Sequence, residues 1–401
     1  MMKDTNVRLG LKENWKQFTL LLVVNAFVGG MVGLERTILP QLAKEDFGLV
    51  STTAILSFII VFGITKAITN YFTGALANKL GRKNLLIIGW LIAIPIPYIL
   101  MVASHWNWIV FANVLLGVNQ GLTWSSTVVM KIDLVGEKDR GLAMGLNESF
   151  GYFSIAIVAF TTGWIAAEYG VRPYPFYQGV FFVILGLILS VLFIKDTVSH
   201  VHKEAVHSDV PLLNNIVWET TWQNKNLGSI TQAGFVNNLN DGMVWGILPV
   251  ILANKGFHIK EIAVIVAIYP AVWGIGQLLT GKLSDIYNKK KMLFAGMILQ
   301  GISLLGMFWA TTLFQFYFLA FVLGVGTAIV YPTFLSALAS FTNPVQRAQS
   351  IGVFRLWRDL GYAFGALLTI ALTYFFEMDS TLLFIGGLTV LSGILLKIRM
   401  T

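Results

Sequence analysis

The sequence predicts an all-α membrane protein: twelve transmembrane helices in two six-helix bundles. Three observations carry that expectation: an apolar composition, long runs without charge, and a repeat relating the two halves of the chain. Of the 401 residues 56% are hydrophobic and only 12% charged, where a soluble chain carries about a quarter charged. This excludes a water-soluble enzyme and a disordered chain. The absence of cysteine removes disulfides, thiolate metal sites and cysteine nucleophiles together.

A helix needs about 20 apolar residues to cross the hydrocarbon core. Single spans are expected over 17–34, 47–65, 149–167, 173–194, 262–281, 360–376 and 380–396. Residues 84–130 lack any acid or base and are long enough for two spans, turning at the aromatic stretch His105-Trp106-Asn107-Trp108. Residues 292–346 make two more, turning near Thr311 and Thr312. The stretch 227–252, interrupted by Asp241, completes the twelve.

Lys and Arg in the loops set orientation. An even number of spans puts both termini on one side. Twenty bases fall there against four (Lys44, Arg172, Lys255 and Lys260) on the other, so the termini are expected to be cytoplasmic, in the plasma membrane. The net charge of +8 is then a matter of topology and not of nucleic acid. The first apolar run is too long for a cleavable signal peptide and lacks a small-residue cleavage site.

The longest polar stretch lies between spans six and seven. It divides the chain into an N-terminal bundle (1–195), a cytoplasmic linker (196–225) and a C-terminal bundle (226–401). Gly74, Thr73, Gly117, Arg140 and Gly145 recur 207 residues later as Gly281, Thr280, Gly324, Arg347 and Gly352. At an offset of 209, Gly33 and Pro40 recur as Gly242 and Pro249. Many transporters are built this way, with the solute site between the halves near the bilayer midplane.

The segment GALANKLGRK (74–83) resembles the loop signature of the major facilitator superfamily, Gly-x-Leu-Ala-Asp-Arg-x-Gly-Arg-Lys between helices two and three. GKLSDIYNKKK (281–291) is similar to its weaker second copy. Physically, the glycines suit a tight turn and the bases suit an anionic leaflet. The resemblance implies the major facilitator fold and a secondary active transporter working by alternating access. In that family this loop bears on the switch between inward-open and outward-open states, which singles out Gly74, Asn78, Gly81, Arg82, Lys83, Gly281 and Asp285. Asn78 departs from the family's Asp, whereas Asp285 keeps it. Asn113 stands where many antiporters place an Arg four residues before the Gly, here Gly117. The Gly-Pro-x-x-Gly-Gly signature of drug antiporters is absent from the fifth helix.

Charges inside spans are costly in lipid and mark pathways, relays or pairs. Here they are Glu35, Glu148, Asp241 and Asp359 against Arg36, Lys66, Arg355 and Arg358. Arg355, Arg358 and Asp359 are spaced i, i+3 and i+4, on one face of helix eleven. Glu148 and Arg355 are equivalent at the 207 offset. The family juxtaposes helices two and eleven, so the resemblance implies Lys66 and Asp359 as a gate ion pair. Arg36, Glu148, Asp241, Arg355 and Arg358 are the substrate or coupling candidates, with static pairing as the alternative for each. Glu35, near the outer boundary, has solvation as its simplest reading. Asp241 follows Asn237, Asn238 and Asn240, so it either senses protons or substrate or caps a bend.

Trp124, Tyr331, Trp245 and Trp273 occupy matching places in the repeats and are expected to pack or anchor. His200, His202 and His207 fall in the linker, where solvation is the plain expectation. No Walker A or His-Glu-x-x-His sequence is present, and no cofactor or metal is expected. Glu148, Asp241 and Asp359 can exchange protons as neighbouring bases move away, which favours proton coupling. The intramembrane bases fit an anionic or zwitterionic small solute bound by Arg355 or Arg358. The alternatives are efflux of lipophilic compounds, which an aromatic interior suits, and a non-transporting receptor or scaffold of the same fold. The expected partners are the solute, protons and the bilayer, with the protein a monomer.

Overall fold

The computed structural model describes residues 7–36, 38–49 and 52–401, and among these there is helix and loop but no strand. The long helices are α1 (Trp15–Arg36), α2 (Thr52–Leu80), α3 (Arg82–Val102), α4 (Trp106–Val135), α5 (Arg140–Tyr169) and α6 (Tyr177–Leu192). They continue as α7 (Lys225–Asn254), α8 (Ile259–Ile286), α9 (Lys289–Trp309), α10 (Leu313–Ser340), α11 (Pro344–Phe375) and α12 (Ser380–Arg399). Pro95 and Pro97 interrupt α3 at Ile94, as expected where prolines remove backbone donors. At the turn expected near Thr312, that residue caps α10 and Gln315 returns the bond, a reciprocal box that satisfies two orphan amides.

Nine of the described helices are long and apolar enough to cross a membrane by length and composition alone. The three long helices outside that set, α4, α7 and α11, carry buried polar residues such as Asn119, Lys131, Asp133, Asn237, Asp241, Arg355 and Asp359. A helix enclosed by neighbours needs less apolar surface than one facing lipid.

The chain forms two compact units. The first comprises residues 1–138, 147–209 and 347–352; the second comprises 139–146, 210–346 and 353–401. In the first, α4 packs against α1, α2 and α3, and α6 packs against α1 and α3. In the second, α10 packs against α8 and α9, and α12 against α9 and α7. The pairing pattern follows the sequence repeat. The units differ from a simple division at the linker in two places: the first turns of α5 join the second unit, and residues 347–352 of α11 join the first.

Both signature segments prove to be helical for most of their length, which corrects the expectation of a glycine turn. Gly74 and Asn78 lie within α2, and Gly281 and Asp285 within α8. Only Gly81, at φ +83°, uses the freedom of glycine to turn the chain. Gly74 and Gly281 serve instead where helices cross. A Cβ on Gly74 would lie 2.8 Å from the Gly352 Cα, and one on Gly281 would lie 2.8 Å from the Gly145 Cα. The two crossings are counterparts at the 207 offset. Arg82, Lys131, Arg140 and Arg347 also depart from expectation, since all four are buried rather than spread over the leaflet surface.

Candidate functional site

In the second unit the polar centre forms around Asp241. The Tyr269 hydroxyl on α8 donates to one carboxylate oxygen and the Tyr362 hydroxyl on α11 donates to the other, the latter at 3.3 Å. Tyr269 stacks on Trp273 at 5.9 Å, Trp273 meets Tyr331 at 4.9 Å, and Trp245 lies 6.4 Å from Tyr269. Arg358 sits over the Tyr331 ring at 5.2 Å and binds Asp359 at 2.8 Å. A buried carboxylate is costly unless it is hydrogen-bonded or paired, and these hydroxyls provide that partnership. The asparagines before it have a different role. Asn237 and Asn240 bond Gln300 of α9, and Asn240 also accepts from Thr389 of α12, tying three helices together.

The first unit repeats the theme. The Lys66 ammonium lies 5.5 Å from the centre of the Trp124 ring, whose indole N–H points to Glu148 at 3.4 Å. Asn147 donates to the same carboxylate oxygen at 2.7 Å. Trp124 thus bridges Lys66 and Glu148. Its counterpart Tyr331 carries Arg358, so each repeat places an aromatic ring under a cation. Lys131, fully buried in α4, donates to the Leu21 carbonyl at 3.3 Å and feels the charge of Glu148.

The other candidates fall as follows. Arg355 is buried. Lys66 and Glu148 belong to the first unit, and Arg355, Arg358 and Asp359 to the second. The Arg36 side chain lies outside the described residues. Glu35 is buried, which corrects the solvated reading. Among the described residues no three His, Asp or Glu side chains converge as metal ligands.

A third cluster lies at the basic ends of the helices. Asp133 pairs with Arg82 at 3.3 Å and with Arg347 at 3.9 Å, and it accepts from Thr197 at 2.8 Å. Arg347 also forms a two-pronged pair with Glu204 at 2.8 and 2.6 Å. The Lys83 backbone N–H donates to Asp196. In the second unit Asp285 accepts from the Gly141 and Leu142 amides at 2.6 and 2.9 Å, satisfying orphan donors at the start of α5. Asn78 is the counterpart of Asp285 at the 207 offset.

The linker is not a free tether. Its helix Val198–Ala205 buries Val201 and supplies Glu204, while Thr197 and Asp196 bond the first unit. Further on, Leu213 exchanges two bonds with Gln346. His200, expected to be solvated, is half-buried and contacts Asn14 at 3.3 Å. Burial first, and then the Lys203 charge, push its pKa below the usual 6.5.

Sequence reasoning missed Tyr269, Tyr362, Asp133 and Glu204, and treated Trp124, Trp273 and Tyr331 as packing. One signal was present: Tyr362 continues the Arg355, Arg358, Asp359 face of α11 by another turn.

Buried charges beside aromatic rings within apolar helices mark a solute pathway, and the family match makes the chain a membrane transporter. A family model described as Major Facilitator Superfamily matches residues 21–233 and again 230–400, and the chain belongs to that superfamily. It is similar to the "Multidrug resistance protein MdtG" of Escherichia fergusonii, 25% identical over 374 residues that cover 90% of this chain and 88% of the relative. The protein of the same name from Enterobacter lignolyticus is 25% identical, with 88% and 85% covered. Among solved structures it resembles the human organic anion transporter MFSD10 (TETRAN), with a TM-score of 0.78 and 13% identity over 94% of this chain and 98% of that one. It also resembles FucP in its outward conformation, with a TM-score of 0.76 and 17% identity over 96% and 98%. At those identities the solved structures speak for the fold alone.

Proposed function

We propose that the chain exports lipophilic small compounds in exchange for protons, with cytoplasmic termini and with Asp241 as the coupling carboxylate. The observation that carries this reading is the partnership of Asp241 with two neutral hydroxyls inside a cluster of aromatic rings. A carboxyl held by hydroxyls gains or loses a proton without breaking an ion pair. Aromatic walls offer large apolar contact and cation–π attraction without a fixed hydrogen-bond pattern, which suits solutes of varied shape. The names of the relatives support export over the anionic or zwitterionic solute that the bases suggested. The pairing of Arg358 with Asp359 leaves that guanidinium less available for an anion.

Lys66 and Asp359 are the proposed gate pair, Lys66 cushioned by Trp124 and Asp359 held by Arg358. Alternating access would further require the glycine crossings of α2 with α11 and of α5 with α8 to part in turn with the outer ends.

The test is Asp241→Asn in everted vesicles, whose cytoplasmic face is outward, given a lipophilic fluorescent dye from outside and an imposed gradient acid inside, so that export in the cell's sense is read as uptake into the lumen. Proton-driven export should fall at least tenfold, while downhill exchange of the dye persists. Wild-type export with an unchanged pH profile would rule Asp241 out as the coupling group.

A further inference from the structure

At the start of α9 and the end of α12, in the second unit, is a cavity of about 420 Å³ lined by Asn288, Lys290, Lys291, Phe294, Lys397 and Thr401. Three of its lining side chains are lysines and none is acidic. Topology alone asks only that bases lie on one side of the membrane. It does not ask that lysines more than a hundred residues apart meet at one hollow. Lys397 is also placed, with its ammonium 4.5 Å from the centre of the Phe294 ring. The Asn288 side chain accepts the Lys291 amide at 3.1 Å and so fixes the first turn of α9 beside the cavity.

The surface beyond the cavity is apolar. Leu391, Ile394, Leu395 and Ile398 are exposed along α12, spaced to form one face next to Lys397. A hollow walled mainly by apolar side-chain atoms, lysine stems among them, at the head of an exposed apolar stripe matches an amphiphile with an anionic head and hydrocarbon tails. Free phosphate would use the lysines and leave the stripe unused.

We propose that this cavity binds an anionic phospholipid, its apolar walls taking the glycerol end of the acyl chains, which continue along α12, and the ammonium groups of Lys290, Lys291 and Lys397 meeting the phosphate at the rim. The site is separate from Asp241 and is independent of the solute assignment. Basic residues near the leaflet each favour anionic lipid modestly, so their convergence is what makes one site stand out from a diffuse attraction.

The test uses the full chain in nanodiscs of phosphatidylcholine containing a small fraction of fluorescently labelled phosphatidylglycerol, read as energy transfer from a donor attached to a cysteine at Leu212, an exposed linker residue on the cavity's side of the membrane. That position leaves all six lining residues intact; a second donor, at the exposed linker residue Val206, guards against a placement out of range. The triple variant Lys290→Gln/Lys291→Gln/Lys397→Gln should bind about tenfold more weakly than wild type. A triple variant of the exposed Lys12, Lys138 and Lys195 should change by less than twofold. Lysine-to-arginine versions at the three cavity positions should retain binding, which separates lost charge from lost fold. Equal loss in the two glutamine triples would overturn the site in favour of general attraction. Displacement of the labelled lipid by millimolar inorganic phosphate alone would overturn the phospholipid as occupant.

Discussion

Trp124 links two charges through different parts of one side chain, its face under Lys66 and its N–H toward Glu148. Trp124→Phe removes the hydrogen bond and part of the buried ring but keeps an aromatic face, and should cost about 1–2 kcal/mol of stability. Trp124→Ala also removes the ring beneath the ammonium and should cost about 3 kcal/mol or more. Equal losses in melting experiments on the two variants would show that the ring face does nothing for Lys66. The proposed gate invites a charge exchange: Lys66→Asp and Asp359→Lys should each abolish transport, and the double variant should recover a measurable fraction. No recovery, with both proteins folded, would argue against the pair. The buried charges were legible in the sequence because lipid makes a charge conspicuous. Tyr269 and Tyr362 were not, since a tyrosine in a span is equally at home as an interfacial anchor. Asp133 was hidden for another reason: it stands at the end of a span among bases that read as loop residues.

Among elements, the crossings at Gly74 and Gly281 leave no room for a side chain. A Cβ on Gly145 would lie 2.4 Å from the Gln277 carbonyl oxygen, a backbone atom that cannot swing aside. Gly281→Val should therefore lower stability by about 1–3 kcal/mol and speed thiol labelling of a cysteine placed at Leu142. Unchanged labelling would mean that α5 does not depend on this contact. The linker helix makes a claim about pH. Folding holds the His200 pKa below 6.5, so the docked linker binds fewer protons than the undocked one. Its stability rises with pH through that window and falls as pH drops below about 6.5. Proteolytic cutting within residues 198–209 should be faster at pH 5.5 than at pH 7.5, and His200→Gln should remove most of the difference. The helices themselves were legible from charge-free runs. The docking of the linker was not, because polar residues on a short helix look the same whether they meet solvent or the buried Arg347.

For the whole molecule, the excess of bases on one face leads to a direct expectation. On this cysteine-free chain, thiols introduced at Lys203 or Asn288 should react with a membrane-impermeant reagent only after the cells are opened. Labelling in intact cells would reverse the assigned orientation. The duplicated architecture could be read from glycines and arginines at a fixed offset. The exchange of short segments between the compact units could not, since a repeat shows which positions are equivalent and not which of them touch. That exchange has a consequence for synthesis. Residues 139–146 leave the ribosome well before α8, with about 130 residues separating Gly145 from its partner Gln277. At the usual pace of elongation the wait is on the order of ten seconds. For that interval the first turns of α5, with the Gly141 and Leu142 amides and Arg140, lack the surface that later covers them. A nascent chain stalled after α6 should be cut there by protease, and one stalled after α8 should resist, so the eighth helix covers the start of α5 while the first unit still waits for residues 347–352 of α11.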